Sequence, residues 1–282
     1  MTVFALGSLL FYTGKDKVTL MGTVILLFFA LLCKESALVL PAMFMIYDLI
    51  FRQQPGNRVR DMLMTRFRSH YLWLWGSVAV FMMLRAYAVG NLLPVSPSPL
   101  DNPLVNAPLA HRLLTIPVVI LHYLRLLVYP VTLSVDYSFN QIPVNSSLYS
   151  WSFVAGLCTV VLASWGFSRI WGRSPLAAFG VSLLVIPLLL NLNPLVPSGT
   201  MLAERYLYLP SIGFCLLAGL AFHRVRSMAG SPGQRHILIG LAAVLVVAGT
   251  ARTVLRNKEW RTDETLFRSA TVSTPHSVRA HL

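Results

Sequence analysis

Two dipeptides of opposed charge, Lys34-Glu35 and Glu204-Arg205, interrupt long apolar runs. A charge near the centre of a bilayer costs about 2.5–3.5 kcal/mol on insertion scales, so such residues tend to face a cavity or a pathway. A lysine ammonium suits phosphate as a point charge, and the arginine fork matches phosphate oxygens. On that chemistry Lys34 and Arg205 are expected to bind the phosphate of an anionic ligand, with Glu35 and Glu204 lining its pocket. The plainer alternatives are structural ion pairs, one at a helix–helix turn and one at the outer face. A third segment, Asp136-Tyr137-Ser138-Phe139-Asn140-Gln141-Ile142-Pro143, sets Asp, Asn and Gln beside aromatic rings. Amides pair with hydroxyls and rings stack on pyranose faces, so Asp136, Tyr137, Asn140 and Gln141 are expected to shape a sugar pocket. A turn capped by Asp136 and Asn140 would use the same residues. Tyr206 is placed in the pocket lining too, although Tyr206 and Tyr208 also suit an interfacial aromatic belt.

Other chemistries lack a pattern. The chain has no glycine-rich phosphate loop, no G-x-S-x-G elbow and no separate Ser/His/Asp set. Its seven histidines show no H-x-x-x-H spacing, and no paired cysteines suggest a metal site. No cofactor is expected, with a divalent metal left open. Cys33, Cys158 and Cys215 lie singly in or beside apolar runs and read as buried thiols rather than a disulfide framework.

The elements that must position these groups are membrane helices. Hydrophobic residues make up 56% of the chain, charged residues only 12%, and mean hydropathy is +0.66. The runs are continuously apolar rather than alternating, which indicates helices instead of barrel strands. Apolar helices are expected at about 2–13, 18–33, 36–51, 71–90, 109–130, 148–168, 175–193, 206–222 and 236–254. The net charge of +13 does not gather on one soluble face, which argues against nucleic-acid binding. It falls instead in short connections, as topology signals do. Residues 52–70 carry five arginines against Asp61 and are expected to form a cytoplasmic loop. Arg169 and Arg173, then Arg224, Arg226 and Arg235, mark two more. Residues 91–108 and 131–147 hold one charge each, Asp101 and Asp136, and residues 194–205 only Glu204 and Arg205. These three segments are assigned to the exterior.

If 91–108 and 131–147 share one side, 109–130 cannot cross once. That segment carries Arg112, His122 and Arg125 with Pro117 in its middle. A broken, interfacial or re-entrant helix is therefore expected within a 91–147 exterior insert, the alternative being an ordinary span. The membrane domain runs over 1–255. From 256 to 282 charges mix with apolar residues at helical spacing, and Thr274-Pro275 marks a stop. This reads as the start of an exterior helical-repeat domain. A single repeat cannot bury its apolar face without neighbours, so a truncated chain is expected.

Taken in order, these segments resemble the transmembrane and tetratricopeptide-repeat O-mannosyltransferase family, in its bacterial-type form. The resemblance is carried by Leu32-Cys33-Lys34-Glu35-Ser36-Ala37 with Leu40-Pro41 and Tyr47-Asp48-Leu49, by Asp101-Asn102-Pro103, Arg112-Leu113-Leu114-Thr115 and Asp136-Tyr137-Ser138. Ala203-Glu204-Arg205-Tyr206-Leu207-Tyr208-Leu209-Pro210-Ser211 and the stretch from Arg256 through Trp260 to Pro275 complete it. It implies a partial C-type multi-span glycosyltransferase bundle, all-α, followed by tetratricopeptide repeats. The implied activity is transfer of a sugar, such as mannose, from a polyprenyl-phosphate donor to a protein or glycan acceptor, usually a protein hydroxyl. The implied catalytic base is an acidic residue in the first exterior loop, which this chain does not contain. The chain is therefore expected to be an inactive fragment by itself, in a bacterial inner membrane or, for a eukaryotic source, the endoplasmic reticulum. The competing classes are a noncatalytic scaffold presenting exterior repeats and a lipid-linked glycan polymerase.

Overall fold

A computed structural model describes residues 1–14, 16–53, 59–90, 97–138, 141–192, 197 and 199–281, the Arg279 side chain excepted. Among them every regular element is helical: α1 (Thr2–Tyr12), α2 (Lys17–Cys33), α3 (Leu40–Phe51), α4 (Val59–Arg66) and α5 (Leu72–Val89) come first. Then follow α6 (Leu109–Val128), α7 (Trp151–Ile170), α8 (Pro175–Asn191), α9 (Pro210–Met228), α10 (Pro232–Glu259), α11 (Asp263–Ser273) and α12 (Val278–His281). Four stretches are long and apolar enough to cross a bilayer: Val59–Val89, Leu109–Val128, Trp151–Ile170 and Pro232–Glu259. The chain is a polytopic helical membrane protein.

Two compact units are present. The first holds residues 1–95, 165–191 and 208–213; the second holds 96–164, 192–207 and 214–282. In the first, α1 packs on α2, α2 on α5, and α3 on α8. Leu27, Leu31, Phe44, Tyr71 and Leu74 form its core. A polar centre sits inside this apolar mass. Asp48 is fully buried and accepts from the Tyr12 hydroxyl at 2.6 Å and the Tyr71 hydroxyl at 2.9 Å. Arg52 lies 3.3 Å and Arg66 3.8 Å from its carboxylate. Arg52 also donates to the carbonyls of Tyr12, Thr13 and Gly14, which the end of α1 leaves without partners.

In the second unit α6 and α7 meet at a glycine. A Cβ on Gly156 would fall 2.2 Å from the Pro117 carbonyl oxygen, so only glycine permits this approach. The first unit repeats the device, where a Cβ on Gly213 would fall 2.4 Å from the Gly180 carbonyl oxygen.

Three expectations change. The 52–70 segment is not a loop throughout: Val59–Val89 is one 31-residue helix with a π-turn at Phe67–Tyr71. Charge bias reports which side a segment lies on, not its conformation. Leu109–Val128 is unbroken, with Pro117 inside it. Cys33, Cys158 and Cys215 are exposed on helix surfaces rather than buried. An apolar run gives a thiol an apolar surrounding whether it faces lipid or protein.

Candidate functional site

The segment 131–142 is the chemical centre of the second unit. Asp136 is buried and accepts the Ser138 N–H at 2.9 Å, an Asx turn that folds the segment on itself. Its carboxylate also accepts the Ser277 hydroxyl at 2.5 Å, and the Ser138 and Ser277 hydroxyls lie 3.1 Å apart. Ser134 and Thr274 hydroxyls meet at 2.8 Å, and the His276 N–H donates to Gln141 Oε1 at 3.3 Å. Thr274 to Ser277 is the turn between α11 and α12. Polar groups that the sequence suggested for a sugar thus fasten the first helices after α10 to the 131–142 segment.

Glu204 opens the short 3-10 turn Glu204–Leu207. Its Oε1 accepts the Ser134 N–H at 2.6 Å and the Tyr137 hydroxyl at 2.8 Å. Burial pushes the Glu204 carboxyl above the ordinary range, against the opposing pull of Tyr137, Ser134, Arg256 and Arg252. Burial likewise pushes the Tyr137 phenol up, and the Glu204 charge adds to it. Arg256, on α10, is buried and pairs with Glu259, which Arg252 also meets at 3.6 Å. Arg252 further donates to the Val131 carbonyl at 2.9 Å, tying α10 to the segment. Arg205 forms no ion pair with Glu204 among the described residues; it is exposed, over the Tyr206 ring at 5.6 Å.

A carboxyl whose folded pKa is raised contributes stability that is complete below the unfolded value. That contribution is lost as pH rises through the folded value. The second unit should therefore melt at lower temperature as pH rises from about 4.5. Glu204→Gln keeps the oxygen acceptor for Ser134 and Tyr137 but cannot ionise. Its melting profile across that window is expected to be flatter than that of the parent chain, and parallel profiles would refute the assignment.

Beside this network lies a cavity of about 250 Å³ lined by His122, Arg125, Leu126, Thr132, Tyr137, Gln141, Ile142, Leu202 and Ser273. Of the residues singled out in the sequence, Tyr137 and Gln141 line it, whereas Asp136, Glu204 and Tyr206 do not. Asn140 lies outside the described residues. His122, Arg125, Thr132 and Ser273 were not selected from sequence for a pocket. The signal available was the pair of polar residues three apart that follows the apolar stretch 116–121 of the helix.

Lys34 and Glu35 belong to the first unit. Lys34 ends α2 in extended conformation, and Glu35 starts the 3-10 turn Glu35–Val39 that leads to Pro41 at the head of α3. Glu35 Oε1 accepts from Arg85 Nε at 2.7 Å. The acid of this dipeptide is therefore held by α5, and the corner expected between two short helices is present.

Residues 93–164 match the family described as Protein O-mannosyl-transferase TMTC, DUF1736. The chain is 26% identical over 271 residues to the Protein O-mannosyl-transferase Tmtc3 of Drosophila melanogaster, covering 85% of this chain and 29% of that protein. It is 27% identical over 245 residues to the Protein O-mannosyl-transferase TMTC1 of Mus musculus, covering 82% and 25% respectively. Against the Protein O-mannosyl-transferase TMTC4 of Homo sapiens it is 31% identical over 166 residues, 55% of this chain and 21% of that protein. The chain thus spans 29% or less of the length of these three relatives. No solved structure matches.

Proposed function

This chain is a relative of the TMTC protein O-mannosyl-transferases, and on that footing we propose that it is part of a membrane glycosyltransferase. The enzyme moves a sugar, mannose by the relatives' names, from a polyprenyl-phosphate donor to a protein hydroxyl on the exterior face. The observation that carries this reading is similarity over 85% of the chain to a named O-mannosyl-transferase. A carboxylate elsewhere in the enzyme takes the acceptor proton as the oxygen attacks the anomeric carbon. The bond from that carbon to the phosphate oxygen breaks, and the polyprenyl phosphate leaves with the electron pair. Cations at the phosphate stabilise the charge that develops there.

Lys34 and Arg205 are each assigned to such a phosphate contact, and each stands or falls by its own substitution. Residues 256–282 begin the helical repeats that hold the acceptor on the exterior side. In a longer protein containing this chain, Lys34→Ala and Arg205→Ala are each expected to lower kcat/KM for polyprenyl-phosphate mannose at least tenfold, with membrane insertion intact. A charge-assisted hydrogen bond of about 1.5–3 kcal/mol sets that scale. Unchanged turnover in either variant removes the role of that residue, and no transfer by the parent protein removes the transferase reading. The scaffold reading draws on the bonds joining Asp136 and Ser138 to Ser277, which could serve to present repeats without any chemistry.

A further inference from the structure

The cavity at the end of α6 has a chemical character that its lining alone defines. His122 and Arg125 come from one face of the last turns of the helix, three residues apart. Among the described residues Arg125 makes one long hydrogen bond, from Nη2 to the Thr132 hydroxyl at 3.3 Å. A guanidinium carries five N–H donors, so most of its donor capacity is open to a ligand. Gln141 spends its carbonyl oxygen on the His276 N–H, which leaves the amide NH2 to donate. Hydroxyls of Thr132 and Ser273 face the same space, and the Tyr137 ring supplies an aromatic wall. The lining holds no carboxylate among the described residues. A guanidinium without a lining counter-charge, an amide, two hydroxyls and a ring suit a ligand with negative charge, several hydroxyls and one apolar face. The volume of about 250 Å³ lies below the roughly 300–1,000 Å³ of pockets for drug-sized ligands, which restricts it to a small head group.

We propose that this cavity binds the phosphorylated head group of a monosaccharide, with Arg125 on the phosphate and Gln141 on the sugar hydroxyls. Lys34 and Arg205 do not line this cavity, so it is a head-group site apart from their phosphate contacts; that it serves the transferase rests on the reading above, and binding itself does not. An arginine in the last turn of a helix also complements the helix dipole. That role alone would make Arg125 matter for stability and not for any ligand, so the test must read binding. The wall contributed by Ser273 has a further consequence. Because α11 closes one side of the cavity, the first helix of the repeat region takes part in holding the head group.

The experiment uses the 282-residue chain in nanodiscs of neutral lipid, with labelled mannose 1-phosphate as the probe and equilibrium dialysis as the readout. The parent chain should bind, with inorganic phosphate a weaker competitor than the sugar phosphate. Arg125→Gln should weaken binding at least tenfold. Ser273→Leu should do the same by filling the cavity, and it is the safer variant because, among the described residues, the Ser273 hydroxyl bonds only within its own helix. Both variants should melt within a degree or two of the parent. No binding by the parent, or undiminished binding in Ser273→Leu, overturns the proposal. If nanodiscs containing phosphatidylglycerol displace the probe through Arg125, the occupant is a lipid phosphate and the sugar assignment fails. Sugar transfer at the normal rate by Arg125→Gln in the longer protein would sever the cavity from the donor without touching the transferase reading. Binding here with no transfer there would do the opposite.

Discussion

Asp48→Ala is expected to destabilise the first unit by about 3–5 kcal/mol, the cost of removing one partner from a buried ionic cluster. Its carboxylate is fully buried and has Tyr12, Tyr71, Arg52 and Arg66 around it, so truncation strands four groups at once. Two phenols lose an acceptor in an apolar core, and two guanidiniums lose their counter-charge. The affected residues sit on α1, on α3 and on the helix from Val59 to Val89, which gives the change a global effect within the unit. In thermal unfolding of the purified protein the midpoint should fall by roughly 10 °C, at about 2–4 °C per kcal/mol for a protein of this size. Asp48→Asn should fall between the two, since an amide oxygen can still accept from the phenols but cannot neutralise the arginines. A variant Asp48→Ala that melts with the parent would show that the cluster is not holding these helices.

Asp136→Ala is expected to act locally. It removes the acceptor for the Ser138 N–H and for the Ser277 hydroxyl, both buried. A hydrogen bond to a charged group is worth about 1.5–3 kcal/mol, and the stranded Ser138 N–H adds to the loss. Helix α11 itself should survive, because Thr262 and Thr265 close a capping box at its start without help from the 131–142 segment. What should be lost is its attachment. Amide hydrogen exchange over 263–281 should accelerate at least tenfold while α6 and α7 keep their protection. Ser277→Ala should give nearly the same pattern, since it removes the partner of both Asp136 and Ser138. Unchanged exchange in both variants would mean that the contacts between α11–α12 and the segment are incidental.

Much of the helical layout was legible in the sequence because bilayer thickness sets run length and run length shows directly in the residues. The ends expected at 33 and 51 match those of α2 and α3. The polar corner at Lys34-Glu35 was legible for the same reason. Residues 59–71 were not, because their arginines and Asp61 hide a helix that extends the apolar one after it. Pro117 reads as a breaker, yet Leu109–Val128 continues through it, with the Pro117 carbonyl packed against Gly156 of α7. The site was half legible. Tyr137 and Gln141 announce hydrogen bonding to something, and Gln141 both lines the cavity and binds the backbone of His276. Asp136 carried the same signal and is used inside the protein. Nothing within eight residues of Asp136 reveals that Ser277, 141 positions away, would take its carboxylate. Ser273 could not be read as a cavity wall for the same reason: long-range closure leaves no local trace.

The arginine that closes α1 has a bearing on biogenesis. Helix α1 ends at Tyr12. The donor that satisfies its final carbonyl groups is Arg52, which the ribosome delivers 40 residues after Tyr12. Until Arg52 is made, those oxygens must turn to other donors such as headgroups or water. The arrival of α3 supplies that guanidinium, so the end of α1 is completed by a residue made two helices later.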